Sequence, residues 1–186
     1  FALVGESVVP IVHDLNTPEG REDAGLPVEE QMASSLTFHQ LRLRPGDDTS
    51  CVNLYKPTRP RIVGVSDGFI AANRFTFAAV LEDVENPWRL LQSTQPGASF
   101  PAVVDATSLQ YVLHAAVGDE IVIDEDTARP IRLRIVGSLR DSALQGEILV
   151  GDASFKQMFP EEQGYRMLLV DVAGVPAEER LRTIAG

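Results

Sequence analysis

The chain has 186 residues, of which 44% are hydrophobic and 23% are charged. That composition is typical of a globular domain and excludes a wholly disordered chain, a collagen and a coiled coil. Sixteen Lys and Arg residues stand against 27 Asp and Glu residues, which gives a net charge of −11. Such a surface repels phosphate backbones and anionic lipid heads, so it argues against nucleic-acid binding. With Cys51 as its single cysteine, the chain can form no internal disulfide and no four-thiolate metal site.

The two ends of the sequence suggest a piece of a longer protein. No run of about 18 apolar residues occurs, so no bilayer-spanning segment is predicted, and the chain begins at Phe1 without a signal peptide. Near the other end, Pro176 is placed to begin a helix. The apolar stripe of that helix, Leu181 and Ile184, is cut short at Gly186. We therefore expect residues 1–186 to be one domain excised from a larger chain.

Strands and short helices alternate without a strict strand–helix–strand order, which predicts a mixed α+β fold. In the N-terminal half, the patterns predict one or two strands in residues 1–15, an exposed loop at 16–25, a short helix from Pro27, strands at 36–44 and 61–65, a weak strand at 73–81 and a short helix from Pro87. The loop at 93–99 is the candidate junction between two subdomains, near residues 93–100.

The strand at 36–44 carries a change of phase. Its apolar residues occupy one face as far as Phe38 and the other face from Leu41 onwards. A bulge between the two positions would reconcile them. Arg42 and Arg44 are then expected to point into solvent.

From residue 101 onwards, the sequence patterns that predict strands and helices are clearer. A strand ending at Asp105 leads into a helix that Asp105 or Thr107 caps and Gly118 ends. One face of this predicted helix is apolar at helical spacing, at Leu109, Val112, Leu113 and Ala116. Further strands are predicted at 120–124, 131–135, 145–150 and 165–172, with a short helix from Asp152 between the last two.

A search for catalytic motifs finds no phosphate-binding glycine loop, no nucleophile elbow and no His-Glu-x-x-His. His13 and Asp14 are adjacent on a predicted strand, where neighbouring side chains face opposite ways. His114 is predicted in the last turn of a helix, where a histidine suits the helix dipole. Cys51 fits a nucleophile, a redox partner or a small buried hydrophobe, and burial is the commonest role of a free cysteine. The residues thus predict no catalytic group, no cofactor and no metal ligand.

Charged clusters leave two alternatives open. The carboxylates at 47–48 and 124–126 lie in predicted turns and do not match a calcium loop. A locally basic set is either a docking patch for a partner or a solvated face with internal ion pairs; it consists of Lys56, Arg59, Arg61 and Arg74. This set is the candidate for a partner contact.

The C-terminal half resembles a known family. Residues 103–123 read VVDATSLQYVLHAAVGDEIVI, residues 132–141 read RLRIVGSLRD and residues 146–155 read GEILVGDASF. This order of strand, capped helix, Gly-Asp turn and strands resembles the MacB-like periplasmic core domain of FtsX-like ABC-transporter permeases. Residues 47–57, DDTSCVNLYKP, followed by PRIVGV at 60–65, are similar to a narrower subgroup of such permeases. The resemblance covers roughly residues 47–172.

The resemblance implies a non-catalytic domain outside the cytoplasm, periplasmic or extracellular, in a full-length protein held in the membrane. It implies a cytoplasmic ATPase as partner, and an adaptor, a substrate protein or a second copy as further contacts. The domain would lie between two membrane helices and either relay ATPase-driven motion or contact the substrate or an adaptor protein. Phe1 and Gly186 are then expected on the same side of the domain.

Two other functions remain open on the sequence. The first is a stand-alone domain that binds a peptide, a lipid or a protein. The second is a small enzyme that uses Cys51 or a His/Asp pair, which would require a pocket joining Cys51 to a histidine.

Overall fold

The computed structural model describes residues 1, 3–26, 30–46, 60–93, 99–123, 130–140, 142 and 144–173. Its strands are β1 (Leu3–Ile11), β2 (Leu36–Arg44), β3 (Arg61–Val65), β4 (Thr76–Val80), β5 (Phe100–Asp105), β6 (Glu120–Ile123), β7 (Ile131–Arg140), β8 (Glu147–Gly151) and β9 (Tyr165–Val172). Its helices are α1 (Pro18–Asp23), α2 (Glu30–Ala33), α3 (Asp67–Ala72), α4 (Ala106–Tyr111) and α5 (Asp152–Met158), with a 3₁₀ helix at Pro87–Gln92. The predicted α+β class, mixed sheet with short helices, is confirmed.

The chain forms two compact units. Unit 1 is built from Phe1–Arg42 and Gln163–Gly186, and unit 2 from Leu43–Glu162. The chain therefore leaves unit 1 once and returns to it once, so unit 2 is an insertion in unit 1. The junction predicted near 93–100 falls within unit 2, and its residues 94–98 lie outside the described part of the chain.

The sheet of unit 1 is antiparallel, in the order β1–β9–β2. β2 runs along β9 without interruption, from Leu36 opposite Val172 to Leu41 opposite Met167. The bulge predicted in residues 36–44 is therefore wrong.

The change of phase in β2 has another cause, because a polar side chain is buried where the two apolar faces meet. Gln40 is 8% exposed. Its Oε1 accepts a hydrogen bond from Leu15 N at 2.9 Å, and its Nε2 donates to His13 O at 2.8 Å. Both halves of the amide are thus satisfied by backbone, which removes the usual cost of burying it.

The exposed loop predicted at residues 16–25 is also wrong, because α1 occupies its centre. Thr17 caps this helix through its Oγ1, which accepts a hydrogen bond from Gly20 N at 3.0 Å. Pro18 takes the first helical position, and Glu19 follows in the first turn. These are ordinary helix-start signals, and only the short length of the segment hid them.

Unit 2 contains a mixed sheet in the order β3–β8–β5–β7–β4, with β6 paired to β7. β3 with β8 and β5 with β7 are parallel, and the other pairs are antiparallel. One apolar cluster joins β3, β5, β6, β7 and β8 to α4 and α5; its buried members are Ile62, Ala102, Val104, Leu109, Leu113, Ile121, Ile123, Leu133, Ile135, Ile148, Val150, Phe155 and Phe159.

The helix after β5 begins as predicted and ends earlier. Asp105 is its N-cap, with Oδ1 accepting a hydrogen bond from Ser108 N at 2.9 Å. The helix stops at Tyr111 instead of continuing to Gly118, so Val112 is 41% exposed although it belongs to the predicted apolar face. His114 follows in a left-handed conformation, with φ of 51°, and not in a last helical turn.

Candidate functional site

The predicted basic set is only partly visible. Lys56 and Arg59 lie outside the described residues. Arg61 opens β3, and its Nη2 lies 3.3 Å from Oε1 of Glu147, which is buried on the neighbouring strand β8. Arg74 follows α3, and its carbonyl oxygen accepts a hydrogen bond from the indole of Trp88. Arg61 thus takes part in an internal ion pair, and the set as a partner contact stays a prediction.

The structure pairs His13 with a carboxylate other than that of its neighbour Asp14. His13 lies just beyond β1, with its Nδ1 3.4 Å from Asp23 Oδ2. Its neighbour Asp14 uses Oδ1 to accept hydrogen bonds from the backbone and side-chain amides of Asn16. The ring of His39 packs edge-on against Phe1. Cys51 lies outside the described residues, so its surroundings stay a prediction.

Two further observations concern metals and membranes. Within the described ranges, no group of three or more His, Cys, Asp or Glu side chains is placed to hold a metal ion. In the same part of the chain, no helix is both long and apolar enough to cross a bilayer.

One open cleft of about 220 Å³ lies in unit 2. Its lining carries apolar, hydroxyl and charged side chains and consists of Leu81, Glu82, Leu90, Ser93, Ser99, Pro101, Arg134 and Val136. The hydroxyl of Ser99 already donates to Glu120 Oε1 at 2.6 Å. The lining thus combines a carboxylate, Glu82, a guanidinium, Arg134, and two hydroxyls with apolar side chains, which suits the binding of a partly polar ligand.

Arg42 and Arg44 of β2 lie on either side of the first link between the units, and they contact residues on either side of the second link. In unit 1, Arg42 donates through Nη1 to Gly164 O at 3.2 Å, and its guanidinium lies 5.0 Å from the ring centre of Tyr165. In unit 2, Arg44 forms an ion pair with Glu162 at 2.9 Å. These arginines were expected in solvent, and that expectation is wrong.

The side chains of Arg42 and Arg44 are half-buried against the returning segment of the chain. Sequence reasoning missed both residues, because their partners are more than 100 residues away. The available signal was an arginine at alternate positions on an otherwise apolar strand, which is compatible with paired and with solvated side chains.

The beginning of the described chain lies beside the end of its last strand. Leu3 in β1 is opposite Val170 in β9, and the strands are antiparallel. The amino group of Phe1 is 3.9 Å from Asp171 Oδ1. Residue 186 lies outside the described residues, so the expectation that Phe1 and Gly186 share one side stays a prediction.

A buried carboxylate joins three parts of the segment on which the family resemblance rests. Asp105, 3% exposed, caps α4 through Oδ1 and accepts a hydrogen bond from Gly146 N at 3.0 Å through Oδ2. Gly146 N also lies 3.2 Å from Ser108 Oγ. The aspartate that ends β5 therefore fixes the start of α4 and the turn before β8. Its role is structural.

No protein-family model matches this chain, and no curated protein matches it. Among solved structures, it is similar to the extracellular domain of the noncanonic ABC-type transporter YknZ from Gram-positive bacteria, with a TM-score of 0.42 and 11% identity over 97% of this chain and 86% of that one. It is also similar to the periplasmic region of MacB from Actinobacillus actinomycetemcomitans, with a TM-score of 0.45 and 10% identity over 97% of this chain and 78% of that one. Both are transporter domains of the class that the sequence resemblance named.

Proposed function

We propose that the chain is a non-catalytic extracytoplasmic domain of an ABC-transporter permease, held between two membrane helices. The observation that carries the proposal is the pairing of β1 with β9. A domain strung between two neighbouring membrane helices must begin and end at one place. The antiparallel pairing of Leu3 with Val170 meets that requirement for the described residues.

The same strand pair gives unit 1 a means of transmitting movement. β1 and β9 are joined by a backbone ladder, and β9 is joined to β2 along its other edge. Displacing one strand along its axis breaks several hydrogen bonds at once, so the three strands move together. Motion driven by a cytoplasmic ATPase would reach this sheet through the two membrane helices.

Force that passes on to unit 2 has two covalent routes, between Arg42 and Leu43 and between Glu162 and Gln163. The contacts of Arg42 with Gly164 and of Arg44 with Glu162 hold the outgoing and returning segments together on each side of these links. Because these contacts join the outgoing and returning segments, the two segments resist moving independently of each other. We take this as the physical basis of a relay, with an adaptor, a substrate protein or a second copy as its receiver.

The first test concerns location. In the full-length protein, with Cys51→Ser as background, single cysteines replace Met32 in unit 1 and Val122 in unit 2, which are 55% and 54% exposed. A membrane-impermeant maleimide should label both in intact cells. Leu169→Cys, fully buried in β9, is the matched control and should react only after denaturation. Labelling of Met32→Cys and Val122→Cys only after lysis would place the domain in the cytoplasm and overturn the proposal.

The second test concerns the relay. The permease is purified with its ATPase in nanodiscs, and ATP hydrolysis is measured for the Arg42→Ala/Arg44→Ala variant. Loosening both links should change the hydrolysis rate of the assembled complex. Lys156→Ala removes an exposed ion pair with Asp152 on α5 and should leave the rate unchanged. An unchanged rate in the double variant would favour the alternative, a domain that binds a partner without passing on motion.

A further inference from the structure

The open cleft of unit 2 is lined by four segments of the chain that the sheet holds together. Leu81 follows β4 and remains bound to β7, because its backbone N–H donates to Val136 O at 2.8 Å. Pro101, near the start of β5, is the register partner of Arg134 on β7. Leu90 lies on the 3₁₀ helix. The lining residues therefore belong to one framework that fixes where each of them lies.

The apolar part of the lining is ordered before any ligand binds. It consists of Leu81, Leu90, Pro101 and Val136, of which Pro101 is buried and Val136 is 6% exposed. The 3₁₀ helix that carries Leu90 is anchored by Trp88, which is fully buried. A lining that is ordered in advance loses little conformational entropy when a ligand covers it.

Two opposite charges line the same cleft. Within the described residues, the side chains of Glu82 and Arg134 form neither an ion pair nor a hydrogen bond. Glu120 is directly opposite Arg134 on β6, but its Oε1 accepts a hydrogen bond from the Ser99 hydroxyl at 2.6 Å. The guanidinium of Arg134 is thus available to an anionic group of a ligand, and the carboxylate of Glu82 is available to a cationic group.

The size of the cleft limits the ligand. Its volume of about 220 Å³ lies below the roughly 300–1,000 Å³ typical of sites for drug-sized molecules and above the roughly 150 Å³ of a cavity that binds benzene. A ligand of intermediate size fits this range, such as one or two amino-acid residues. Residues 94–98, between Ser93 and Ser99, lie outside the described chain and are not part of the site.

The charges of the cleft and of the whole chain favour a ligand that carries both signs. A ligand that is only anionic would meet the net charge of −11. A ligand that is only cationic would be repelled by Arg134. A zwitterion has no net charge and can pair with Glu82 and Arg134 together.

We propose that this cleft binds a small zwitterion with an apolar body, which is the chemistry of a short apolar peptide whose two ends are free. Arg134 would hold the carboxylate, Glu82 would hold the ammonium group, and the apolar lining would cover the ligand's side chains. This goes beyond the proposed function and does not depend on it, because it rests only on the lining, volume and charges of the cleft.

The test titrates three ligands into the isotope-labelled chain and follows its amide chemical shifts. The ligands are Leu-Leu, its N-acetyl derivative, which lacks the ammonium group, and its C-terminal amide, which lacks the carboxylate. Leu-Leu should bind about tenfold more tightly than either derivative, because each derivative loses one charge-assisted hydrogen bond. The shifts that Leu-Leu causes should be largest at residues 81–82, 90–93, 99–101 and 134–136.

Single variants test the role of each charge. Arg134→Gln should weaken Leu-Leu about tenfold and remove its advantage over the C-terminal amide. Glu82→Gln should remove the advantage of Leu-Leu over the N-acetyl derivative. Arg132→Gln and Asp83→Asn are the matched controls, since both change exposed neighbours of like charge that do not line the cleft, and both should bind Leu-Leu as the parent does. Thermal melting establishes that all four variants are folded.

Equal affinity for the three ligands would overturn the proposal, and so would unchanged affinity for Leu-Leu in Arg134→Gln. Tighter binding of the N-acetyl derivative than of Leu-Leu would mean that the ligand is a simple anion. An equal loss of affinity in Arg132→Gln would mean that the overall charge of the chain, and not this cleft, attracts the ligand. Titrations without saturable shifts at the lining residues would show that the cleft does not bind such a zwitterion.

Discussion

The guanidinium of Arg44 lies 2.9 Å from Glu162 Oε1, and these two residues flank the points where the chain enters and leaves unit 2. Their side chains are 32% and 23% exposed, so the pair is partly shielded from solvent. Arg44 also lies over the ring of Phe159 at 5.2 Å. One arginine therefore fastens the outgoing strand to the returning segment by charge and by ring contact together.

Removing this pair should lower stability modestly. We expect Glu162→Ala to reduce the free energy of unfolding by about 1 kcal/mol, because a half-exposed ion pair is screened by water and salt. A double-mutant cycle with Arg44→Ala, followed by urea denaturation at low and high salt, isolates the pair. The Lys156–Asp152 pair on α5 is the control and should show a coupling of about 0.3–0.5 kcal/mol. A coupling energy for Arg44–Glu162 no larger than that of the control pair would show that this ion pair does not fasten the outgoing strand to the returning segment.

Much of the fold was predictable from local pattern, and the reasons are specific. β5, β7, β8 and β9 fall where apolar runs predicted strands, because each is long enough to show its period. Asp105 was one of two predicted caps, with Thr107, because a carboxylate ends an apolar run there, and the structure shows Asp105 in that role. The six-residue helix α1 was missed, since so short an element shows less than two turns of period.

The candidate sites were less predictable, because they depend on distant contacts. Arg44 meets Glu162 and Gln40 meets Leu15, and nothing in the residues around either position shows the partner. The lining of the cleft in unit 2 likewise depends on which strands lie side by side. Strand order is a property of the whole chain and cannot be deduced from β7 alone.

Asp105 should be among the most sensitive polar residues of unit 2. Asp105→Asn keeps the shape but replaces one acceptor oxygen with a donor, facing either Ser108 N or Gly146 N. A buried amide left without an acceptor costs about 1–3 kcal/mol, and we expect a loss of that size in urea denaturation. Ser66→Ala removes the cap of α3, which accepts from Phe69 N at 3.3 Å, and should cost about 1 kcal/mol. An Asp105→Asn loss below that of Ser66→Ala would show that the turn at Gly146 does not depend on the carboxylate.

Trp88 organises an aromatic cluster in unit 2. It is fully buried, its ring centre lies 4.8 Å from that of Phe69 and 5.2 Å from that of Phe77, and its indole N–H donates to Arg74 O. Trp88→Phe should cost about 2–3 kcal/mol, since it leaves a cavity and removes the hydrogen bond from the indole to Arg74 O.

Circular dichroism during denaturation measures the effect of Trp88→Phe, because the substitution removes the chain's single tryptophan and with it the intrinsic fluorescence of that residue. In the parent chain, fluorescence and circular dichroism are followed together, so that unfolding around Trp88 is identified. An unchanged free energy of unfolding in Trp88→Phe would mean that the neighbouring rings fill the cavity and restore the lost packing.

Two glycines in strands allow a matched test of packing. An added Cβ at Gly64 in β3 would lie 2.9 Å from Phe155 Cβ and Cγ, whereas one at Gly5 in β1 would meet nothing within 4 Å. Phe155 is fully buried between β3 and the core of unit 2, so it cannot move aside without disturbing its neighbours. Gly64→Ala should therefore destabilise the chain by about 1–3 kcal/mol through overpacking.

Gly5→Ala should be neutral or slightly stabilising, because it restricts the unfolded chain without a clash in the strand. Thermal and urea unfolding of the two variants measure the difference directly. If Gly64→Ala were as stable as Gly5→Ala, the close contact between α5 and β3 would have to relax at no cost, and the packing described for Phe155 would be incorrect.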